Sequence, residues 1–126
     1  MRKTTLAFLA ILAVSLTACK HLCRCDLEYS NVCNSKNPPI VCIDSDSLAP
    51  SQNPVHIKGG DTAHFYVTSG HGSLTITCEP GTPVEYIGHD GGHAWVRTLP
   101  VKEAKKYKYT INVDGHINDP DMVIEP

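Results

Sequence analysis

The chain has 126 residues, with eleven Lys and Arg against thirteen Asp and Glu, and six cysteines. That length suits one domain with a modest core. The formal net charge of −2 gives no sign of the basic face that nucleic-acid binding wants, so no nucleic-acid partner is expected.

The chain opens on a basic start, Arg2-Lys3, and an apolar run from Leu6 to Leu16. A membrane-spanning helix needs about 20 apolar residues. A shorter run behind a basic start, ending in small residues, reads as a removable export signal. It closes with Leu16-Thr17-Ala18-Cys19, which resembles the lipobox of bacterial lipoproteins. The resemblance implies that residues 1–18 are a signal peptide. It also implies that Cys19 carries a diacylglycerol thioether and becomes an N-acylated (palmitate-type) N-terminus. The membrane is then a partner through the lipid, and the protein belongs to the bacterial cell envelope. Lys20, where aspartate would retain a lipoprotein in the inner membrane, points to the outer membrane. Each buried CH₂ contributes about 0.8 kcal/mol, and more than one chain gives stable attachment. Loss of Arg2 and Lys3 leaves nine Lys and Arg against thirteen Asp and Glu, a formal net charge of −4.

Residues 19–38 are poor in apolar positions and read as a cysteine-containing tether. Cys23 and Cys25 are too close to bridge each other easily, which leaves Cys33 as a structural partner for one of them. The alternative use of "HLCRC" with Cys33 is a soft metal such as Cu(I), which thiolates select, although the spacing matches no paired zinc pattern.

From residue 39 the pattern turns to short strands: 39–43 (PIVCI), 55–58 (VHIK), 62–68 (TAHFYVT), 73–78 (SLTITC), 83–87 (PVEYI), 93–97 (HAWVR), 107–113 (YKYTINV) and 121–125 (DMVIE). Period-two alternation over β-branched and aromatic residues predicts strands. It places Ala63, Phe65 and Val67 opposite His64 and Tyr66. Glycine and proline clusters separate the strands. A short helix-like turn is expected only at 101–107 (VKEAKKY). Residues 39–126 are therefore expected to form an all-β domain, a small antiparallel β-sandwich of seven or eight strands.

Within it, "VHIKGGDTAHFYV" resembles the opening of cupredoxins. "YKYTI", followed by His116, Met122 and the strand "MVIE", resembles their ending. The resemblance implies a cupredoxin-like sandwich, with an immunoglobulin-like one as the alternative. It fails at the copper chemistry. A blue-copper site needs a thiolate, and Ile111 stands at the position of the copper cysteine. No blue-copper centre and no other cofactor are expected.

Export places the cysteines where disulfides persist. Cys42 and Cys78, both in strand patterns, are the expected bridge across the domain. Among the seven histidines, His89 and His93 in "GHDGGHAW", beside Asp90, are the candidate metal pair for Zn²⁺ or Cu²⁺; the alternative is a polar hairpin loop. "DGHINDPD" (114–121) carries Asp114, His116, Asp119 and Asp121, ordinary residues for turns. No nucleophile elbow, H-E-x-x-H or phosphate loop is present, so no catalytic residue can be named and no enzyme is expected. The reading is a lipid-anchored, non-catalytic binding or structural module with an envelope protein or ligand as partner. The alternative is a metal-handling lipoprotein using its histidines or the N-terminal cysteines.

Overall fold

The computed structural model describes residues 32–126. The expected signal peptide, the expected acylation site Cys19, and Cys23 and Cys25 lie outside the described residues.

Among the described residues nine strands form: β1 (Ile40–Ile43), β2 (Val55–Lys58), β3 (Thr62–Val67), β4 (Leu74–Cys78), β5 (Val84–Asp90), β6 (His93–Thr98), β7 (Lys105–Val113), β8 (His116–Asn118) and β9 (Asp121–Glu125). They make two sheets, one ordered β1-β3-β6-β5 and the other β2-β9-β7-β4 with β8 also on β7. This is the expected all-β sandwich, with one strand more than expected. Most pairs are antiparallel, but β1 runs parallel to β3 and β2 parallel to β9. The cause is connectivity: the chain crosses from β1 in the first sheet to β2 in the second and back to β3, so neither outer strand is reached by a hairpin.

The core is the set of inward positions of both sheets. Val41, Ile43, Ala63, Phe65, Ala94 and Val96 of the first sheet meet Val55, Ile57, Leu74, Ile76, Tyr109, Ile111, Met122 and Ile124 of the second. The alternation written in "TAHFYV" holds: Ala63, Phe65 and Val67 are buried while Tyr66 faces water. Phe65 and Tyr109 span the layers at 5.4 Å between ring centroids, tilted by 56°.

Three expectations need correction. Cys42 does not pair with Cys78; it pairs with Cys33, so Cys33 is also not the partner of Cys23 or Cys25. Val41 and Ile43 take the core side of β1, so period two turns Cys42 to the outer side, away from the sheet that carries Cys78. Cys78 is a free, half-buried thiol. Burial, with a further push from the Glu79 carboxylate, raises it to about 11.

Second, residues 101–107 make no helix. Lys105 and Lys106 already belong to β7, paired with Ile124 and Val123 of β9; the ladder that β9 offers overrides local helix propensity. Third, the compact unit begins at Val32, so residues 32–38 belong with the sandwich and not with a tether. Ser51 Oγ donates to the Cys33 carbonyl at 2.9 Å, and Gln52 Nε2 reaches the carbonyls of Cys33, Ser35 and Ile40. These bonds and the disulfide hold the segment beside β1.

Candidate functional site

The outer face of the first sheet collects residues that the core does not use. Register places Tyr66 beside His93, His64 beside Trp95 and Thr62 beside Arg97 across β3 and β6. On the other side of β6, Asp90 lies beside His93, Gly88 beside Trp95 and Tyr86 beside Arg97. All of these alternate with buried Ala63, Phe65, Ala94 and Val96, so they share the outward face.

His93 is the hub. Its ring lies parallel to Tyr66, with centroids 4.3 Å apart and planes 4° apart, and Trp95 stands 4.9 Å away at 48°. His64 Nδ1 and His93 Nε2 are 3.0 Å apart. Their centroids are 5.3 Å apart with planes at 21°, so the rings meet edge to edge and one N–H donates in plane to the other's lone pair. Burial first, then the neighbouring His64, hold the His93 imidazole below the usual histidine range, against a smaller opposite pull from Asp90. His93 therefore favours its neutral form.

Trp95 lies over Gly88. A Cβ built on Gly88 would come 2.3 Å from Cε2 and 2.4 Å from Cζ2 and Nε1 of the indole. Only glycine lets the ring settle on the β5 backbone at that point. The pair Arg97–Glu85 closes the far end, with Nε 2.9 Å from Oε2. Arg97 also donates toward Thr62 Oγ1 at 3.4 Å. His64 Nε2, His93 Nδ1, Tyr66 OH and Trp95 Nε1 have no hydrogen-bond partner among the described residues, and none of these atoms is sealed from solvent. The face thus combines fixed rings with spare donors and acceptors.

The candidate metal pair is not brought together. Gly91 and Gly92 form a two-residue turn, with Gly91 at φ 58°, which sets Asp90 against His93 and His89 against Ala94. One step along an extended strand changes the face, so His89 and His93 point to opposite sides. His93 instead meets His64, which no spacing within one segment could show. The signal available was weaker: His64 on the outward phase of "TAHFYV" and His93 on the outward phase of "HAWVRT". Among the described residues, no group of three or more His, Cys, Asp or Glu is placed to hold a metal ion.

A cupredoxin copper centre does not fit these residues. Ile111 is fully buried, paired with Ile76 of β4 and Asn118 of β8, and has no donor atom. Met122 is buried in β9, while His116 is exposed beside the Asp114-Gly115 turn. His56, also exposed, lies 3.5 Å from Glu125 through Nδ1 and takes no part in the aromatic face.

Neither a protein-family model nor a curated protein matches the sequence. Among solved structures, the chain is similar to amicyanin, a cupredoxin, in methionine-to-alanine and methionine-to-glutamine mutants in the Cu(I) state. Each aligns at 19% identity and a TM-score of 0.45, over 68% of this chain and 82% of that one. The chain is also similar to an endo-fucoidan hydrolase from glycoside hydrolase family 107, at 15% identity and a TM-score of 0.40. That alignment covers 69% of this chain and only 12% of the hydrolase.

Proposed function

We propose that the protein is a lipid-anchored, non-catalytic binding module of the cell envelope, and that its binding face is the outer side of the β1-β3-β6-β5 sheet. One observation carries this reading: His64, Tyr66, His93 and Trp95 form a fixed cluster outside the core, with polar atoms left unpartnered and open to solvent. Aromatic residues that present an apolar body and a polar tip are the usual anchors of binding surfaces. The lipobox-like end of the leader supports the anchor, and the absence of a nucleophile–base pair in the sequence supports a non-catalytic role.

The test is retention on isolated envelope material. Acylated wild-type protein and a Tyr66→Ala/Trp95→Ala variant are released from the lipid bilayer with detergent and sedimented with the insoluble envelope fraction. The variant should stay in the supernatant while the wild type sediments. Equal retention of a folded variant would refute the assignment of this face.

A second reading, metal handling, is favoured by the 3.0 Å approach of His64 Nδ1 to His93 Nε2. It requires Cu²⁺ or Zn²⁺ to replace the proton between them. Saturable quenching of Trp95 emission by Cu²⁺, abolished in His64→Ala, would support it.

A further inference from the structure

We infer that the ligand of this face is an uncharged saccharide, with a pyranose ring seated on the Trp95 indole; the inference deepens the binding-module reading and rests on it. Four features of the face point the same way.

The first is shape. Trp95 settles on Gly88, where any Cβ would collide with the indole. The ring therefore rests on the strand beneath it. The negative π-face of an indole attracts weakly positive hydrogens, and one side of a pyranose presents a patch of C–H bonds with that character.

The second is hydrogen bonding. A sugar hydroxyl both donates and accepts. The bond between His64 and His93 occupies one nitrogen of each ring. With both rings neutral, the two outer nitrogens are then one donor and one acceptor. Trp95 Nε1 adds a donor, and the Tyr66 hydroxyl adds one group of each kind.

The third is charge complementarity. Arg97 is already paired with Glu85 at 2.9 Å, and Asp90 sits on the same row as His93. Among the described outward residues of β3, β5 and β6, no cation without a carboxylate partner remains to attract an anionic polymer, and the His93 imidazole favours its neutral form. The face is matched to a polar partner without net charge.

The fourth is rigidity. Tyr66 and His93 are stacked with planes 4° apart and both rise from paired strands of one sheet. Groups fixed before binding lose little freedom on binding.

The chain contains a single tryptophan, so its emission reports on this face alone. The experiment uses the full mature chain in a detergent without a sugar headgroup. The probes are β-1,4-linked tetrasaccharides of glucose and of N-acetylglucosamine, a methyl glucoside, and polygalacturonate as the anionic comparison. At least one neutral tetrasaccharide should shift Trp95 emission saturably and bind more tightly than the monosaccharide. Tyr66→Ala keeps the tryptophan and should weaken binding by about tenfold. Trp95→Ala, followed by calorimetry, should abolish it. Gly88→Ala should weaken it by lifting the indole.

No response to either neutral tetrasaccharide, unchanged affinity in Trp95→Ala, or preference for polygalacturonate would each overturn the inference. If Trp95→Ala does not fold, Tyr66→Ala decides, because that phenol is outside the core. Retention on envelope material that still depends on Tyr66 and Trp95, with no response to the neutral sugars, would overturn the saccharide while leaving the binding face. Loss of that dependence would remove the binding face itself.

Discussion

Tyr109 and His93 show how the same sheet architecture treats two titratable rings differently. Tyr109 is 1% exposed, and its hydroxyl has no hydrogen-bond partner. Burial, then the neighbouring Cys78 and Asp121, hold its phenol well above the usual tyrosine range. A buried hydroxyl without a partner forfeits its hydration and gains nothing in return. Tyr109→Phe keeps the ring packed on Phe65 and removes the orphan group. It should raise stability by about 1 kcal/mol in a urea titration; a loss of that size would show that the hydroxyl is satisfied. His93 lies on the outer face, and its imidazole is held below the usual histidine range by burial and by His64. The unfolded chain therefore takes up this proton at a higher pH than the folded one does. The contribution of the neutral ring to stability is fully present above the ordinary histidine value of about 6.5 and is lost as pH falls below it and through the lower folded-state value. Melting temperature should drop between neutral and mildly acidic pH, and His93→Asn should flatten that slope. An identical slope in the variant would place the titration elsewhere.

At the scale of elements, β1 illustrates what period two decides and what it leaves open. The sequence places Cys42 in a strand, but not the phase of that strand against the core. The structure puts Val41 and Ile43 inside and Cys42 outside, where residues 32–38 bring Cys33 to it. Peptide mapping without reductant should recover Cys33 linked to Cys42 and Cys78 as a thiol. Replacing Cys33 and Cys42 together with serine should cost about 2–3 kcal/mol, the loop-closure entropy of so short a bridge. A Cys42–Cys78 peptide would contradict the fold itself. The β7–β8 hairpin carries a turn signal in the sequence but no strand signal. Val113-Asp114-Gly115-His116 carries the two-residue Asp-Gly turn that favours positive φ at both central positions; Asp114 has φ 51° and Gly115 φ 91°. Its acidic residues suit any loop, and β8 spans only His116–Asn118, too short to show a period of its own.

For the whole molecule, the prediction concerns the lipid anchor proposed at Cys19. Cys19 follows Leu-Thr-Ala after a short apolar run. Cys19→Ser should abolish acylation and release the protein from membranes, and intact mass of the mature chain reads the outcome; an unacylated wild-type N-terminus would refute it. The class of fold and most of the strands are legible in the residues alone, because alternation of apolar and polar residues is a local property that each strand carries in its own few residues. The residues also establish that Ile111 cannot serve copper, because that depends only on a side chain without a donor atom. The partners become visible once the strands are assembled. Cys33 with Cys42, His64 with His93, and Trp95 over Gly88 each join residues of different segments, and each depends on strand phase and register at once. A one-residue change in either would send the same side chain to the opposite face, which is why His93, four residues from His89 in the chain, works with His64 instead.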